Sequence, residues 1–139
     1  MTEWEIRDFR PGDLEEARRL WAATEGLGAG PGDTDEAIGR FLERNRGLSL
    51  VALSGGSIVA TVLCGHDGRR GILYRVAVAP EWRRRGLAAE LTRRCLSGLG
   101  KEGIGRCFVF VETDNEGALS YWAAAGFRKR ALTILSIDL

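Results

Sequence analysis

A chain of 139 residues, 45% hydrophobic and 28% charged, has the balance of an ordinary soluble globular protein and is long enough to bury a core within one domain spanning residues 1–139. Its net charge of +1, from 20 basic and 19 acidic residues, gives the whole chain no strong pull toward nucleic acid or a membrane surface. No apolar run is long enough to span a bilayer, and Met1-Thr2-Glu3-Trp4 lacks the basic and apolar regions of a secretory signal, so a cytoplasmic protein is expected.

In chain order, Trp4 to Phe9 alternates large apolar and charged residues and predicts a half-buried strand. Pro11-Gly12 breaks it, and Asp13 is placed to cap a helix carrying Leu14, Ala17, Leu20 and Trp21 on one face. The glycine-rich stretch from Glu25 to Asp33 reads as a loop, followed by a helix with Ile38, Phe41 and Leu42 inward. Leu48 to Leu53 and Ile58 to Cys64 flank the turn Ser54-Gly55-Gly56-Ser57 and predict a hairpin. The turn Gly65 to Gly71 leads into a strand from Ile72 to Val78. After Pro80, Leu87, Leu91, Cys95 and Leu99 recur at helical spacing until Gly100 and Gly103. Cys107 to Val111 is apolar on both faces, the pattern of a central strand. Asp114 or Asn115 caps a last helix that ends at Gly126-Phe127, and Arg128 to Leu139 predicts terminal strands. The expectation is an α/β (α+β) fold, a mixed and mostly antiparallel twisted sheet of six to seven strands flanked by about four helices.

Cys64, Cys95 and Cys107 have no C-x-x-C spacing and sit among apolar neighbours, so they read as reduced core thiols. With His66 the only histidine, no metal site is expected. Eight arginines, Arg69, Arg70, Arg75, Arg83, Arg84, Arg85, Arg93 and Arg94, fall within one stretch and mark where an anionic partner would bind. The turn Arg83 to Ala88 carries the strongest chemical signal. A helix start offers unpaired N–H groups and the positive end of the helix dipole. Gly86 and Ala88 allow close approach of an anion to the backbone, and the arginines add charge-assisted hydrogen bonds.

Val76-Ala77-Val78-Ala79-Pro80-Glu81-Trp82-Arg83-Arg84-Arg85-Gly86-Leu87-Ala88 resembles the acetyl-CoA motif of the GNAT superfamily of N-acetyltransferases, Arg/Gln-x-x-Gly-x-Gly/Ala after an apolar strand. Asn115-x-x-Ala118-Leu119-x-Tyr121-Trp122-x-x-x-Gly126-Phe127 resembles the block that ends such domains, and the element order is similar over essentially the whole chain. Among members, the sequence is similar to small bacterial ones near the ribosomal-protein-alanine acetyltransferases, with the Gly65 to Gly71 hairpin resembling one branch of these.

The resemblance implies an acetyl-CoA-dependent N-acetyltransferase in which a primary amine of a small molecule or peptide attacks the thioester directly. By position, the backbone amides of Arg84, Arg85, Gly86, Leu87, Ala88 and Ala89, with Arg83 beside them, would hold the pyrophosphate. Val76, Ala77 and Val78 would pair with pantetheine, with the Val76 amide polarising the thioester carbonyl. Asn115 would contact the pantetheine arm or cap the last helix.

The sequence departs from the family at the leaving group. The usual tyrosine acid is Trp122 here, which would wall the thioester or bond its sulfur; Tyr121 beside it is kept as a catalytic candidate, although it is turned by about 100° of helix. Base candidates are Glu112, Tyr74 and His66, since the strand position where some members carry glutamate is Ile72. The acceptor pocket is expected from Trp21, Thr24, Glu25, Gly26 and Leu27, with Tyr74 opposite. A homodimer is left open. The rival reading is a non-catalytic acetyl-CoA-binding module. A nucleic-acid patch on the arginines is disfavoured by the net charge of +1 and the lack of interleaved aromatics.

Overall fold

A computed structural model of the chain describes residues 3–24 and 30–139. The first alternating run forms β1 (Glu5–Asp8), followed by a 3-10 turn at Pro11–Asp13 and helix α1 (Leu14–Ala22). Helix α2 (Asp35–Arg44) starts at Thr34, whose hydroxyl accepts the Ala37 N–H at 3.1 Å. Strands β2 (Leu50–Ser54) and β3 (Ser57–His66) are joined through Gly55 and Gly56, at φ of 58° and 84°, the two-residue turn that the Gly-Gly pair predicts. Strand β4 (Gly71–Val78), a 3-10 turn (Pro80–Trp82) and helix α3 (Leu87–Lys101) follow, then β5 (Cys107–Val109) and α4 (Glu116–Ala124).

The sheet runs β1-β2-β3-β4-β5, antiparallel except for the parallel pair β4 and β5. One face packs against α3 through Leu87, Leu91, Cys95 and Leu99, with Trp122 of α4 and Val76 and Val78 of β4 at its margin. The other face packs against α1 and α2 through Ala17, Trp21, Ile38 and Leu42, with Ala77 of β4 beneath them. Each of the large buried aliphatic side chains contributes roughly 1.5–3 kcal/mol by leaving water. Among the described residues, no helix is long and apolar enough to cross a membrane.

Two sequence expectations about the sheet fail. The described residues form five strands rather than six to seven, because residues 128–139 make no ladder with any neighbour. Leu132, Leu135 and Ile137 stand 75–89% exposed. Alternation supplies strand propensity, but a strand exists only through its pairing. As a result β5 is an edge strand of three residues, not the central strand that its two-sided apolar pattern suggests.

Asp13 also departs from its expected role as the cap of α1. It accepts no bond from that helix. Its carboxylate takes both Arg7 guanidinium nitrogens, at 2.8 and 2.9 Å, and the Arg10 N–H at 2.8 Å, tying β1 to the start of α1. These bonds, the Arg7 pair foremost, hold the Asp13 pKa below the usual carboxylate value. A depressed carboxylate pKa means stability that is present above the unfolded value near about 3.9 and lost as pH falls through the folded value. Asp13→Asn should therefore cost about 2 kcal/mol in urea unfolding at pH 7. The gap from wild type should narrow steadily below about pH 4.

Candidate active site

The site is organised by an irregularity in β4. Thr61 pairs with Ala77 and Leu63 with Tyr74, so Arg75 and Val76 together face the single residue Val62. This is a β-bulge, and Arg75 takes it up at a φ of 52°, in the left-handed region. Alternation along the strand is reset there. Tyr74 meets Phe41 of α2 and Arg75 meets Trp21 of α1, both on one face, while Val76 and Val78 turn to the α3 face.

Side chains from outside β4 hold this shape. The Thr61 hydroxyl donates to the Arg75 carbonyl at 2.8 Å and accepts from Trp21 Nε1 at 2.8 Å. The Arg75 guanidinium lies over the Trp21 ring, 4.8 Å from its centroid, and pairs with Asp33 at 3.2 Å. Trp21, expected in the acceptor pocket, is instead 3% exposed and absent from the cavity wall. An indole that size is buried most favourably where its N–H finds an acceptor, and Thr61 provides one. Glu25, also expected there, lies outside the described residues, as do Gly26 and Leu27.

Pairing between β4 and β5 ends at Leu73 and Val109, although β4 continues to Val78. The strands part there, beside a cavity of about 810 Å³. Its wall gathers Val76, Glu112, Asn115, Trp122 and Tyr74 from the expected site, with Thr24 and Asp33 on the α1 and α2 side. Ala77 and Val78 are outside the wall, Ala77 being 2% exposed under α1. Asn115 Oδ1 accepts the Ala118 N–H at 3.1 Å, so it caps α4 while lining the cavity.

Helix α4 aims Trp122 by the way it ends. Gly126 stands at a φ of 98° and donates to Ala123 O at 3.0 Å, and Phe127 N–H donates to Trp122 O at 2.9 Å. This closure brings the Phe127 ring edge-on to Trp122, with centroids 5.0 Å apart. Tyr121 does not line the cavity, and among the described residues its buried hydroxyl has no hydrogen-bond partner.

At the far end of β4, Arg84 and Gly86 both have positive φ, 64° and 82°, and Gly86 is the N-cap of α3. Alternating backbone of this kind turns successive N–H groups inward. The Glu90 N–H is bonded to Gly86 O at 3.0 Å, which leaves the N–H groups of Leu87, Ala88 and Ala89 outside the helix's own ladder. Arg85 is engaged within the protein. It stacks 4.5 Å over Trp82, pairs with Glu3 at 2.9 Å and donates to Glu81 O at 3.1 Å. Arg83 Nε donates back to Val78 O at 3.2 Å. Trp4 completes the brace, edge-on to Trp82 and bonded to Glu90 at 3.1 Å.

The Acetyltransferase (GNAT) family model matches residues 1–127. The chain belongs to the acetyltransferase (GNAT) family. An acetyltransferase of Photorhabdus laumondii subsp. laumondii is 37% identical over 115 residues, 83% of this chain and 80% of the relative. Ard1 from Thermoplasma volcanium is similar in fold, with a TM-score of 0.80 at 24% identity, over 94% of this chain and 86% of that one. AAC(6')-Iy, in complex with the bisubstrate analogue CoA-S-monomethyl-acetylneamine, reaches 0.77 at 20% identity over 99% of each chain. The activity of this GNAT protein is acetyl-CoA-dependent N-acetyl transfer.

The other titratable candidates sit in defined environments. Burial, and then the Asp33 charge, raises the Tyr74 pKa, which keeps its phenol protonated and unsuited to act as a base. The Cys64 thiol is raised by its hydrogen bond with Cys95 and by burial, and Cys107 is pushed up to about 12 by burial, so neither is a nucleophile near neutrality. His66 is fixed in the β3–β4 hairpin. Its Nδ1 accepts the Gly68 N–H at 3.0 Å and its Nε2 meets Glu102 at 2.8 Å, away from the cavity wall.

Neither apolar periodicity nor motif spacing pointed to Thr61, Arg75, Phe41 or Phe110, all of which shape the site. In the sequence Arg75 stands out only as one of eight clustered arginines, and Phe41 only as an inward residue of its helix. Because the Tyr121 hydroxyl is buried without a partner among the described residues, Tyr121→Phe should leave the melting temperature unchanged or higher. Turnover should stay within a few-fold, read by thiol release from acetyl-CoA.

Proposed function

We propose that the parting between β4 and β5 receives the acetyl end of acetyl-CoA at Val76, and that an amine reaches it from the α1 and α2 side. Acetyl-CoA supplies an acetyl group activated as a thioester. The chain's residues fit it on two counts: the turn before α3 presents uncommitted N–H groups, and β4 runs past its last partner on β5. The observation that carries this reading is that parting, next to a bulge whose Arg75 stands at a φ of 52°.

In this arrangement the N–H groups of Leu87, Ala88 and Ala89 hold the pyrophosphate at the positive end of α3, with Arg83 and Arg84 beside them. The braced geometry makes Arg85 chiefly a support of the turn. The backbone of Val76, Ala77 and Val78 pairs with pantetheine as a neighbouring strand would, and Asn115 borders the arm. The Val76 N–H donates to the thioester oxygen as negative charge gathers there, an interaction worth about 3–4 kcal/mol for a single well-placed donor. Glu112 takes the ammonium proton of the acceptor through water. No side-chain acid is required at the sulfur, because a thiol ionises near about pH 8.5. Trp122 serves there as a wall, and Tyr121 takes no part.

Residues 1–139 form one catalytic domain that acts in the cytoplasm on a primary amine of a small molecule or peptide. Its similarity to an acetyltransferase of Photorhabdus laumondii supports the acyl transfer.

Two variants test the two ends of the site. Gly86→Asp places a carboxylate where the pyrophosphate is held, and Asp tolerates the 82° φ better than most residues. Acetyl-CoA affinity should fall by about 100-fold or more by calorimetry while the fold is kept, since like charge replaces a charge-assisted contact. Unchanged affinity would overturn the phosphate assignment. Thr61→Val removes the hydroxyl that holds Arg75 O and Trp21 Nε1. It should lower kcat about tenfold with the acetyl-CoA KM little changed, and Thr61→Ser should restore the rate.

A further inference from the structure

On the reading that acetyl-CoA occupies the β4–β5 parting, we infer that the acceptor is a small primary monoamine whose amine sits a short alkyl spacer from an aromatic ring. Three rings from three elements line one side of the cavity: Phe41 of α2, Tyr74 of β4 and Phe110 just beyond β5. They form a continuous edge-to-face run, with centroids 6.0 Å apart at 70° and 6.2 Å apart at 72°. Neither Tyr74 nor Phe110 belongs to a core cluster, and they remain 42% and 58% exposed.

Rings packed for stability would be covered. These are assembled edge to face and left open at a cavity, which is the geometry that accepts a further ring. The backbone is shaped to make the run. The bulge puts Tyr74 on the α2 side together with Arg75, and Gly65 lets Phe41 reach β3, since a Cβ there would lie 2.6 Å from Phe41 Cζ.

The charge of the wall limits the number of ammonium groups. Among the described residues it carries two carboxylates, Asp33 and Glu112, and Asp33 is paired with Arg75 at 3.2 Å. Among the described residues, Glu112 is then the wall carboxylate left to meet a cation, on the stretch that includes Val111 and Thr113 beside the parting strands. A monoamine matches this one unpaired carboxylate, whereas the further ammonium groups of a polyamine or aminosugar find no second unpaired carboxylate among the described residues of the wall. A monoamine places its one ammonium at Glu112 and its ring in the aromatic run, where ring faces also attract the cation.

The test uses the full chain at saturating acetyl-CoA with phenethylamine, n-butylamine and spermidine, read by thiol release. Phenethylamine should exceed n-butylamine in kcat/KM by about tenfold or more, and spermidine by a larger factor. Phe110→Ala should cut the phenethylamine to n-butylamine ratio about fivefold with the melting temperature kept, because the ring is largely exposed. A ratio near one, a preference for spermidine, or a ratio unmoved by Phe110→Ala would overturn the aromatic acceptor. If acetyl-CoA raises the melting temperature but phenethylamine is not acetylated, the acceptor inference alone falls. If acetyl-CoA does not bind, the acetyl-transfer reading falls and takes this one with it.

Discussion

The bulge at Arg75 and Val76 is the constraint on which the rest of the site depends, because one strand must serve three neighbours that a regular strand could not. Strand β4 has to stay in register with β3, separate from β5 and present side chains to both helical layers. Fitting two residues opposite Val62 allows all three. The cost falls on Arg75, whose left-handed backbone is unfavourable by about 1–2 kcal/mol for a residue with a Cβ. That cost is offset by contacts that arise from other elements. Thr61 bonds the Arg75 carbonyl, Trp21 bonds Thr61 and underlies the guanidinium, and Asp33 closes the pair. The first helix is thus part of the site although Trp21 never reaches the cavity wall.

The same strand connects this region to the turn before α3, so the two ends of the proposed acetyl-CoA path are held on one rigid element. A turn with two positive-φ residues has little intrinsic stability. Here it is clamped by Trp4, Trp82, Arg85 and Glu90, and through Trp4 it is tied to the opposite edge of the sheet. The exposed Arg85–Glu3 pair adds little energy by itself. Stacking on Trp82 is the stronger part of that arrangement, because a cation over an indole face loses less to solvent than an exposed ion pair.

Much of this was legible in the sequence wherever the signal is local. Gly86 among three arginines marked the helix start, and the family resemblance put Trp122 at the leaving group, with Tyr121 turned about 100° of helix from it. The bulge was hidden because Ile72 to Val78 reads as a plain strand, and its irregularity is caused by Thr61 and Trp21, 14 and 54 positions before Arg75. Phe41 and Phe110 looked like core, since apolar periodicity reports which face a residue takes and not whether that face is covered. At the C-terminus, Arg128 to Leu139 read as strands from the local sequence. Pairing, which depends on the neighbour, did not follow for residues 128–139.

Trp122 shifts the chemical burden within the proposed site. Its closure against Phe127 fixes an aromatic surface that has no proton to give near neutral pH. A positioned acid is worth about 10²–10⁴-fold where the leaving group is a poor one. A thiol with a pKa near about 8.5 leaves readily as the anion, so most of that gain is not needed. What the reaction cannot do without is a donor for the charge that gathers on the carbonyl oxygen. The backbone at Val76 is suited to that task because an N–H group is always protonated and costs no reorganisation once the strand holds it. The residues that matter most for rate are then those that fix the bulge, which is why a threonine and a tryptophan with no acid–base chemistry of their own occupy the centre of the fold.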